Sequence, residues 1–317
     1  MKEFEEKYWK NNYKRVCGID EAGRGPLAGP VVAASVIFSP NSFLESAKDS
    51  KKLSEKKRNA IFKDIYNAAL SVGVGIVNEE TIDRENILEA TFIAMRRSIY
   101  KLSVNPDIVL VDGKEAKIGE YKQESIIKGD TLSFTIASSS IIAKVTRDRM
   151  MMEYDKVFPK YGFASHKGYG TKYHIEAIRE NGATCIHRKS FRPVSSFLPT
   201  FKEIPRDVYG NCFSIRYYAS LKIKEGFSVE FISSKRRGAI DLVLKKGRQL
   251  DFVVVASSFK KNIINKFENV EIDKRIDRFL LENSLEINNS NIKFILSSVM
   301  FIKPKPIIDN VQVKIIK

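Results

Sequence analysis

Apolar and polar positions along this chain follow two rhythms in turn. Val31–Phe38 is a continuous, β-branched run, the pattern of a buried strand. Residues 14–21, built on Val16-Cys17-Gly18-Ile19, predict a strand that ends in two carboxylates. Val72–Val77 predicts a third, and Asp107–Val111 a fourth that closes at Asp112-Gly113. Ser125-Ile126-Ile127 predicts a short fifth that leads into Lys128-Gly129-Asp130. Between these runs the spacing turns helical. A helix is expected from Glu55 to about Leu70, with Ser54 as its N-cap after a polar loop that starts near Phe43. Residues 81–101 carry a helical stripe of Ile82, Leu88, Phe92, Met95 and Ile99. Ala137 to about Phe158 predicts a helix with small residues at its start. Thr171–Glu180 predicts another, stopped by Asn181-Gly182. The whole is α/β, with acidic residues repeatedly at strand ends, where such folds place their sites.

Beyond Pro193 the pattern changes. Pro193, Pro199 and Pro205 punctuate residues 193–207, a linker signal. The expected organisation is a domain over 1–197, a linker over 198–207 and a smaller α/β domain over 208–317. In the latter, Cys212–Glu225 predicts a helix, and Ser228–Ile232, Ala239–Leu244 and Leu250–Ala256 predict strands. Lys245-Lys246-Gly247-Arg248-Gln249 joins the last two as a hairpin. Ile272–Glu282 predicts a helix and Ile292–Ile302 a strand.

Composition adds a partner class. The 317 residues suffice for two domains and, at 43% hydrophobic, can fill their cores. A net charge of +16 points to a polyanion, of which nucleic acid is the commonest, although basicity for solubility alone is the plainer alternative. Both halves share the charge: residues 201–317 hold 22 Lys and Arg against 13 Asp and Glu. Cys17, Cys185 and Cys212 are scattered, which argues against a disulfide framework and, with three isolated histidines, against structural zinc. The charged N-terminus has no apolar signal core and no apolar run is long enough to span a bilayer, so a cytoplasmic location is expected.

Four acidic residues carry the candidate chemistry: Asp20, Glu21, Asp112 and Asp130. Each ends or follows a predicted strand, and glycine lies close by. Converging carboxylates hold hard divalent cations, and phosphodiester hydrolysis uses two such ions about 3.5–4 Å apart. Solvated loop caps are the plainer reading of any one of them. Gly23-Arg24-Gly25 follows the first pair, and side-chain-free glycines let a backbone approach a sugar or phosphate closely.

The ordered blocks Gly18-Ile19-Asp20-Glu21-Ala22-Gly23-Arg24-Gly25-Pro26-Leu27-Ala28-Gly29-Pro30, Asp49-Ser50-Lys51-Lys52-Leu53-Ser54, Val111-Asp112-Gly113, Lys128-Gly129-Asp130, Ala137–Asp148, Lys167-Gly168-Tyr169-Gly170-Thr171 and His187-Arg188-Lys189-Ser190-Phe191 resemble bacterial ribonuclease HII over about residues 14–197. Ser138 and Ser139 stand where alanine is commoner in that family. The resemblance implies a ribonuclease H-like fold, a mixed sheet flanked by helices. It implies an endonuclease that cuts the RNA strand of RNA–DNA hybrids and nicks duplex DNA at embedded ribonucleotides, leaving 3′-hydroxyl and 5′-phosphate ends. Two Mg²⁺ or Mn²⁺ ions are implied. Asp20 would bridge them, Asp130 would hold the ion that activates water, and Glu21 and Asp112 the ion at the leaving oxygen. RNA differs from DNA by its 2′-OH. Gly23, Arg24 and Gly25 would contact that hydroxyl, and Tyr169 would pack on the sugar at the RNA–DNA junction. Lys51, Lys52, Lys144, Arg147 and Arg188 are candidate phosphate contacts, with Ser54 at a helix N-terminus. A solvated surface is the alternative for each lysine. His166, His174 and His187 read as structural or close to substrate, since Mg²⁺ prefers oxygen. Asp148 reads as the partner of a neighbouring Lys or Arg. The enzyme is expected to act as a monomer.

In residues 208–317, Gly226-Phe227, Gly238–Val243 and Phe252–Ala256 weakly resemble the YraN-like proteins, small relatives with a restriction-endonuclease-like fold. Ala239 and Val254 stand where that family has glutamates, and Ala256 where it has lysine. Asp241 alone remains, and one carboxylate cannot hold a catalytic metal site by itself. The expectation is a degenerate nuclease domain that binds DNA through Lys235-Arg236-Arg237 and the Lys245, Lys246, Arg248 tip. A packing role and a second active nuclease are the alternatives.

Overall fold

The computed structural model describes residues 1–40, 42, 54–114, 116, 118–198, 210–233, 240–258, 278–280, 291–300 and 307–316. Contacts divide the chain into two compact units. One comprises Met1–Met151, His166–Ile178 and Ile186–Phe197; the other comprises Met152–Ser165, Arg179–Cys185 and Leu198–Lys317.

The first unit is built on a five-stranded sheet of β1 (Val16–Ala22), β2 (Val31–Ile37), β3 (Ser71–Val77), β4 (Ile108–Asp112) and β5 (Gln123–Ile126), in the order β3-β2-β1-β4-β5. β1 to β3 pair antiparallel, with Asp20 opposite Ala34; β4 and β5 continue parallel, with Ile19 opposite Val111 and Asp112 opposite Ile126. This is the mixed sheet of a ribonuclease H-like fold. Its helices are α1 (Glu3–Lys10), α2 (Glu55–Ala68), α3 (Glu79–Glu85), α4 (Ile87–Tyr100), α5 (Gly129–Leu132) and α6 (Phe134–Val157). Further on come α7 (Phe163–His166) and α8 (Lys172–Asn181).

Strand alternation sorts the two faces. Cys17, Ile19, Val109 and Val111 pack with Phe92, Met95 and Ile99 of α4 on one face. Val16, Ile108, Leu110 and Ile126 meet Ile136 of α6 and Phe4, Tyr8 and Trp9 of α1 on the other. By the same period of two, Asp20 and Asp112 fall on the α6 side.

Three local outcomes differ from the sequence expectation. The helix read over 81–101 is two helices, because Asn86 sits at φ 73° and its side chain accepts the Leu88 and Glu89 N–H groups, starting α4 afresh. α1 was not expected, because only Phe4, Tyr8 and Trp9 give its eight residues an apolar stripe. It is fixed instead by tertiary bonds: the buried Glu5 carboxylate accepts from Thr135 N–H (3.1 Å) and Thr135 Oγ1 (2.8 Å) at the start of α6. α6 itself begins at Phe134, three residues before Ala137.

The second unit holds α9 (Gly210–Lys224) and a sheet of β6 (Ser228–Ile232), β7 (Leu242–Lys246), β8 (Gln249–Ser258), β9 (Asn291–Met300) and β10 (Ile307–Ile316), in the order β10-β9-β8-β7-β6. β7 and β8 form the expected hairpin, with Gly247 at φ 60° in its two-residue turn. The strand read from Ala239 starts only at Leu242. β10 has no counterpart in the sequence reading. Of the helix read over Ile272–Glu282, only 278–280 are described, and these are helical, with Phe279 packed against Phe252, Phe294 and Leu296. The polar loop at 43–53, most of the 198–207 segment and Lys235-Arg236-Arg237 lie outside the described residues.

Candidate active site

The four carboxylates owe their places to backbone pairing and one close helix contact. Asp20 and Glu21 lie in the last three residues of β1, and Asp112 ends β4, the adjacent parallel strand. Asp112 Oδ1 accepts the Gly129 N–H (2.7 Å), which brings α5, and Asp130 in its first turn, to the end of β4. A Cβ on Gly129 would stand 2.6 Å from Ile136 Cδ1 and 3.3 Å from Asp112 Oδ1, so a larger residue would have to displace the Ile136 side chain. Gly18 plays the same part for α6: a Cβ there would overlap the Thr135 carbonyl. The small, buried residues Ala137, Ser138 and Ser139 therefore lie directly on β1, and Ser139 Oγ donates to Gly18 O (2.7 Å). The serines that replace alanine are thus satisfied, since Ser138 Oγ also donates to Phe134 O (2.7 Å).

The charges on these acids crowd one another. Burial and the neighbouring Glu21 raise the Asp20 carboxyl well above its ordinary range, and Asp112 adds to this; a Ser140 hydrogen bond opposes it. Burial raises Glu21 as well, against the pull of Arg24, whose Nη1 is 3.4 Å from Glu21 Oε1. Asp20 and Asp130 are almost wholly buried. Among the described residues, no three His, Cys, Asp or Glu side chains stand close enough to form a ready-made metal cage. The donor chemistry still fits hard cations: the donors are carboxylate oxygens whose mutual repulsion a divalent ion would relieve.

Beside these acids lies an open cleft of about 440 Å³. Glu21, Gly23, Arg24, Gly25, Lys144, Arg147 and Tyr169 line it, so the structure gathers these sequence-derived candidates at one place. Arg58, Ser140 and Ile141 join them. Tyr169 is half exposed, and a Cβ on Gly25 would stand 3.6 Å from its Cε1. Lys144 is tied to Asp148 (2.8 Å), the partner expected for that aspartate. Ser54 caps α2, accepting the Lys57 N–H at 3.3 Å. Lys51 and Lys52 lie outside the described residues.

Arg188 is corrected as a direct phosphate contact. Its side chain has no exposed surface, and its guanidinium donates to the carbonyls of Gly23, Arg24 (2.8 Å) and Gly29 (3.0 and 2.9 Å). Burial, and then the charge of Arg147, pull its pKa down to about 9, so it stays charged at neutral pH. Arg147 is 1% exposed and also bonds carbonyls, those of Pro30 (2.9 Å), Lys167 (2.9 Å) and Ala28 (3.0 Å). Sequence alone cannot separate an arginine facing phosphate from one facing backbone; the nearby glycines were the only hint.

The histidines brace the Tyr169 loop. His166 Nδ1 accepts the Gly168 N–H (3.1 Å), and its ring stacks on His174 at 4.4 Å. His174 Nδ1 donates to Tyr169 O (2.9 Å), which leaves its Nε2 to accept from His187 Nε2 (3.1 Å). Both rings are held below the ordinary histidine pKa. Burial is the main cause, lowering His174 to about 4 and His187 to about 3.

In the second unit Asp241 is 9% exposed, and its Oδ2 accepts the Val255 N–H (2.8 Å), joining the start of β7 to β8. Ala239 lies outside the described residues. Lys245, Lys246 and Arg248 are exposed at the hairpin, and Lys246 Nζ donates to Glu225 O (2.6 Å).

Known proteins are similar to this chain in sequence over about three fifths of its length. Ribonuclease HII of Clostridioides difficile (strain 630) is 54% identical over 188 residues, covering 59% of this chain and 74% of that protein. Ribonuclease HII of Acholeplasma laidlawii (strain PG-8A) is 52% identical over 195 residues, covering 62% and 96%. The crystal structure of ribonuclease H2 from Pyrococcus horikoshii OT3 is 24% identical, with a TM-score of 0.49 over 58% of this chain and 96% of that one. The ribonuclease HII family model matches residues 17–194, more than half of the sequence, and the chain therefore belongs to the ribonuclease HII family of ribonuclease H hydrolases.

Proposed function

We propose that this chain hydrolyses the RNA strand of RNA–DNA hybrids and nicks duplex DNA at embedded ribonucleotides, leaving a 3′-hydroxyl and a 5′-phosphate. One observation carries the reading: buried, mutually repelling carboxylates stand beside a cleft lined by Gly23, Arg24, Gly25 and Tyr169. Acids in such a place would repel a phosphate unless cations came between.

Two Mg²⁺ or Mn²⁺ ions would supply the activated water and the charge stabilisation at the leaving oxygen. Asp20 is the residue to bridge them, Asp130 to hold one, and Glu21 and Asp112 the other. Ser140 steadies the Asp20 carboxylate through its hydrogen bond. The Gly23-Arg24-Gly25 backbone and the Tyr169 ring bracket the ribose, where a 2′-OH distinguishes RNA from DNA. Lys144, and Lys51 and Lys52 before it, neutralise phosphates along the strand, and the helix N-terminus at Ser54 offers a further phosphate contact.

The second part of the chain, residues 208–317 after a linker over 198–207, serves as a degenerate nuclease domain that binds DNA without cutting it. The inward-turned Asp241 supports this, because its carboxylate fastens the sheet. The basic hairpin tip suits a phosphate backbone. A packing role remains the competing reading, favoured by the bonds of Val229 to Glu153 (2.7 Å) and Lys156 (3.0 Å) within that unit. No helix among the described residues is long and apolar enough to cross a membrane. The enzyme works as a monomer in the cytoplasm.

The test is a duplex carrying a single ribonucleotide, incubated with Mg²⁺ or Mn²⁺ beside an all-DNA control. Nicking confined to the ribonucleotide is expected. Cleavage of the all-DNA duplex, or of neither, contradicts the proposal.

A further inference from the structure

Arg147 touches both loops that face the ribose, and this sets it apart from the other basic residues near the cleft. Its Nε and Nη2 bond the carbonyls of Pro30 and Ala28, in the loop that continues from Gly23-Arg24-Gly25. Its Nη1 bonds Lys167 O, two residues before Tyr169. The two loops meet again where Leu27 N–H donates to Gly168 O (2.8 Å). Gly23, at φ 97°, lies against the guanidinium so closely that a Cβ would overlap Arg147 Nε. Arg188 completes the floor by holding Gly23, Arg24 and Gly29 from below. Arg147 also lines the cleft itself, beside Gly23, Arg24, Gly25 and Tyr169.

We propose that Arg147 is a specificity-determining positioning residue: by clamping the Ala28, Pro30 and Lys167 carbonyls to one rigid planar group, it fixes the spacing between the Gly23-Arg24-Gly25 turn and the Tyr169 ring, and with it the ability to read a lone ribose. The inference rests on the junction-reading roles proposed above for these two elements. A guanidinium is required because its donors diverge in a plane toward three separate acceptors; an ammonium is a point charge that cannot span them. The lone ribonucleotide depends most on this spacing, because it offers one sugar to one register. A long hybrid offers many.

The experiment compares kcat/KM on a single-ribonucleotide duplex and on a long RNA–DNA hybrid for the full chain and its Arg147→Lys, Arg147→Met, Tyr169→Ala and Arg147→Met/Tyr169→Ala variants, with thermal melting of each. Misplacement on the ångström scale can cost on the order of 100-fold in rate, so the lone-ribonucleotide activity of Arg147→Met is expected to fall at least about tenfold more than its hybrid activity. Arg147→Lys should resemble Arg147→Met although it keeps the charge. The double variant should show the same substrate ratio as Tyr169→Ala alone, and millimolar guanidinium should restore part of the ratio in Arg147→Met. Equal losses on both substrates, a ratio change additive to that of Tyr169→Ala, or failure of every Arg147 variant to fold makes the residue merely structural and overturns the proposal. Failure of the underlying reading looks different: the unaltered chain would then not cut the single-ribonucleotide duplex at all.

Discussion

Lowering the pH should unfasten the Tyr169 loop through its histidines. His174 and His187 have pKa values of about 4 and about 3 in the fold, against 6.5 for an ordinary histidine. A depressed histidine pKa means the unfolded chain takes up the proton first. Stability is therefore unaffected above about pH 7, and it falls as pH drops below 6.5 toward the folded-state values. At pH 5 the unfolded rings are protonated while the folded ones remain neutral, a gap of about 1.5 pH units. At about 1.4 kcal/mol per unit this costs about 2 kcal/mol for each ring and about 4 kcal/mol for the pair. Such a loss is a large share of a typical folding free energy of about 5–15 kcal/mol. The assay is urea unfolding near pH 7.5 and near pH 5, comparing the unaltered chain with a His174→Asn/His187→Gln variant. The comparison matters because the buried Asp20 titrates with the opposite sign, and its contribution cancels between the two proteins. The histidine-bearing protein should lose about 4 kcal/mol more than the variant over that range. Parallel losses would show that the two rings are not held neutral by the fold, and would undo the assignment of their hydrogen bonds.

Tyr169→Ala should depress cleavage at a lone ribonucleotide more than within a long hybrid; equal losses on the two substrates would make the tyrosine a packing residue. Gly23→Ala should cost roughly 2 kcal/mol or more in stability and abolish activity, because φ 97° and Arg147 both exclude a Cβ, whereas Gly25→Ala meets only an ordinary 3.6 Å contact and should melt within a few degrees of the parent. Equal melting of the two glycine variants would contradict the packing around Arg147. Truncation after Pro205 should leave an active nuclease with weaker duplex affinity and a shallower salt dependence, as fewer counterions are displaced; unchanged salt dependence would favour the packing role for the second part of the chain.

Much of the first unit can be read from sequence because its strands are buried, β-branched runs and its helices carry a clear apolar stripe. The acids follow from the same pattern, since Asp20 and Glu21 lie in the last three residues of β1, Asp112 ends β4, and Asp130 comes four residues after β5. What could not be read depends on contacts distant in sequence. Helix α1 exists because Glu5 caps α6 more than 120 residues away. The break at Asn86 depends on one residue adopting positive φ within an otherwise helical stripe. Arg147 and Arg188 look like phosphate ligands in sequence, because charge is visible there and burial is not. In the second unit, β10 is a β-branched, alternating run, Val311-Gln312-Val313-Lys314-Ile315, which the sequence expectation omits after a segment with two prolines.

The most direct measurement is cleavage of the single-ribonucleotide duplex by Asp20→Asn and Asp130→Asn variants, with product ends identified and binding measured in parallel. Both substitutions keep the side-chain shape at a buried position, so folding and hybrid binding should be retained. Metal-dependent nicking should disappear in both, while the unaltered chain leaves a 3′-hydroxyl and a 5′-phosphate at the ribonucleotide. Nicking at near the parent rate by either variant would show that these carboxylates are not the catalytic set.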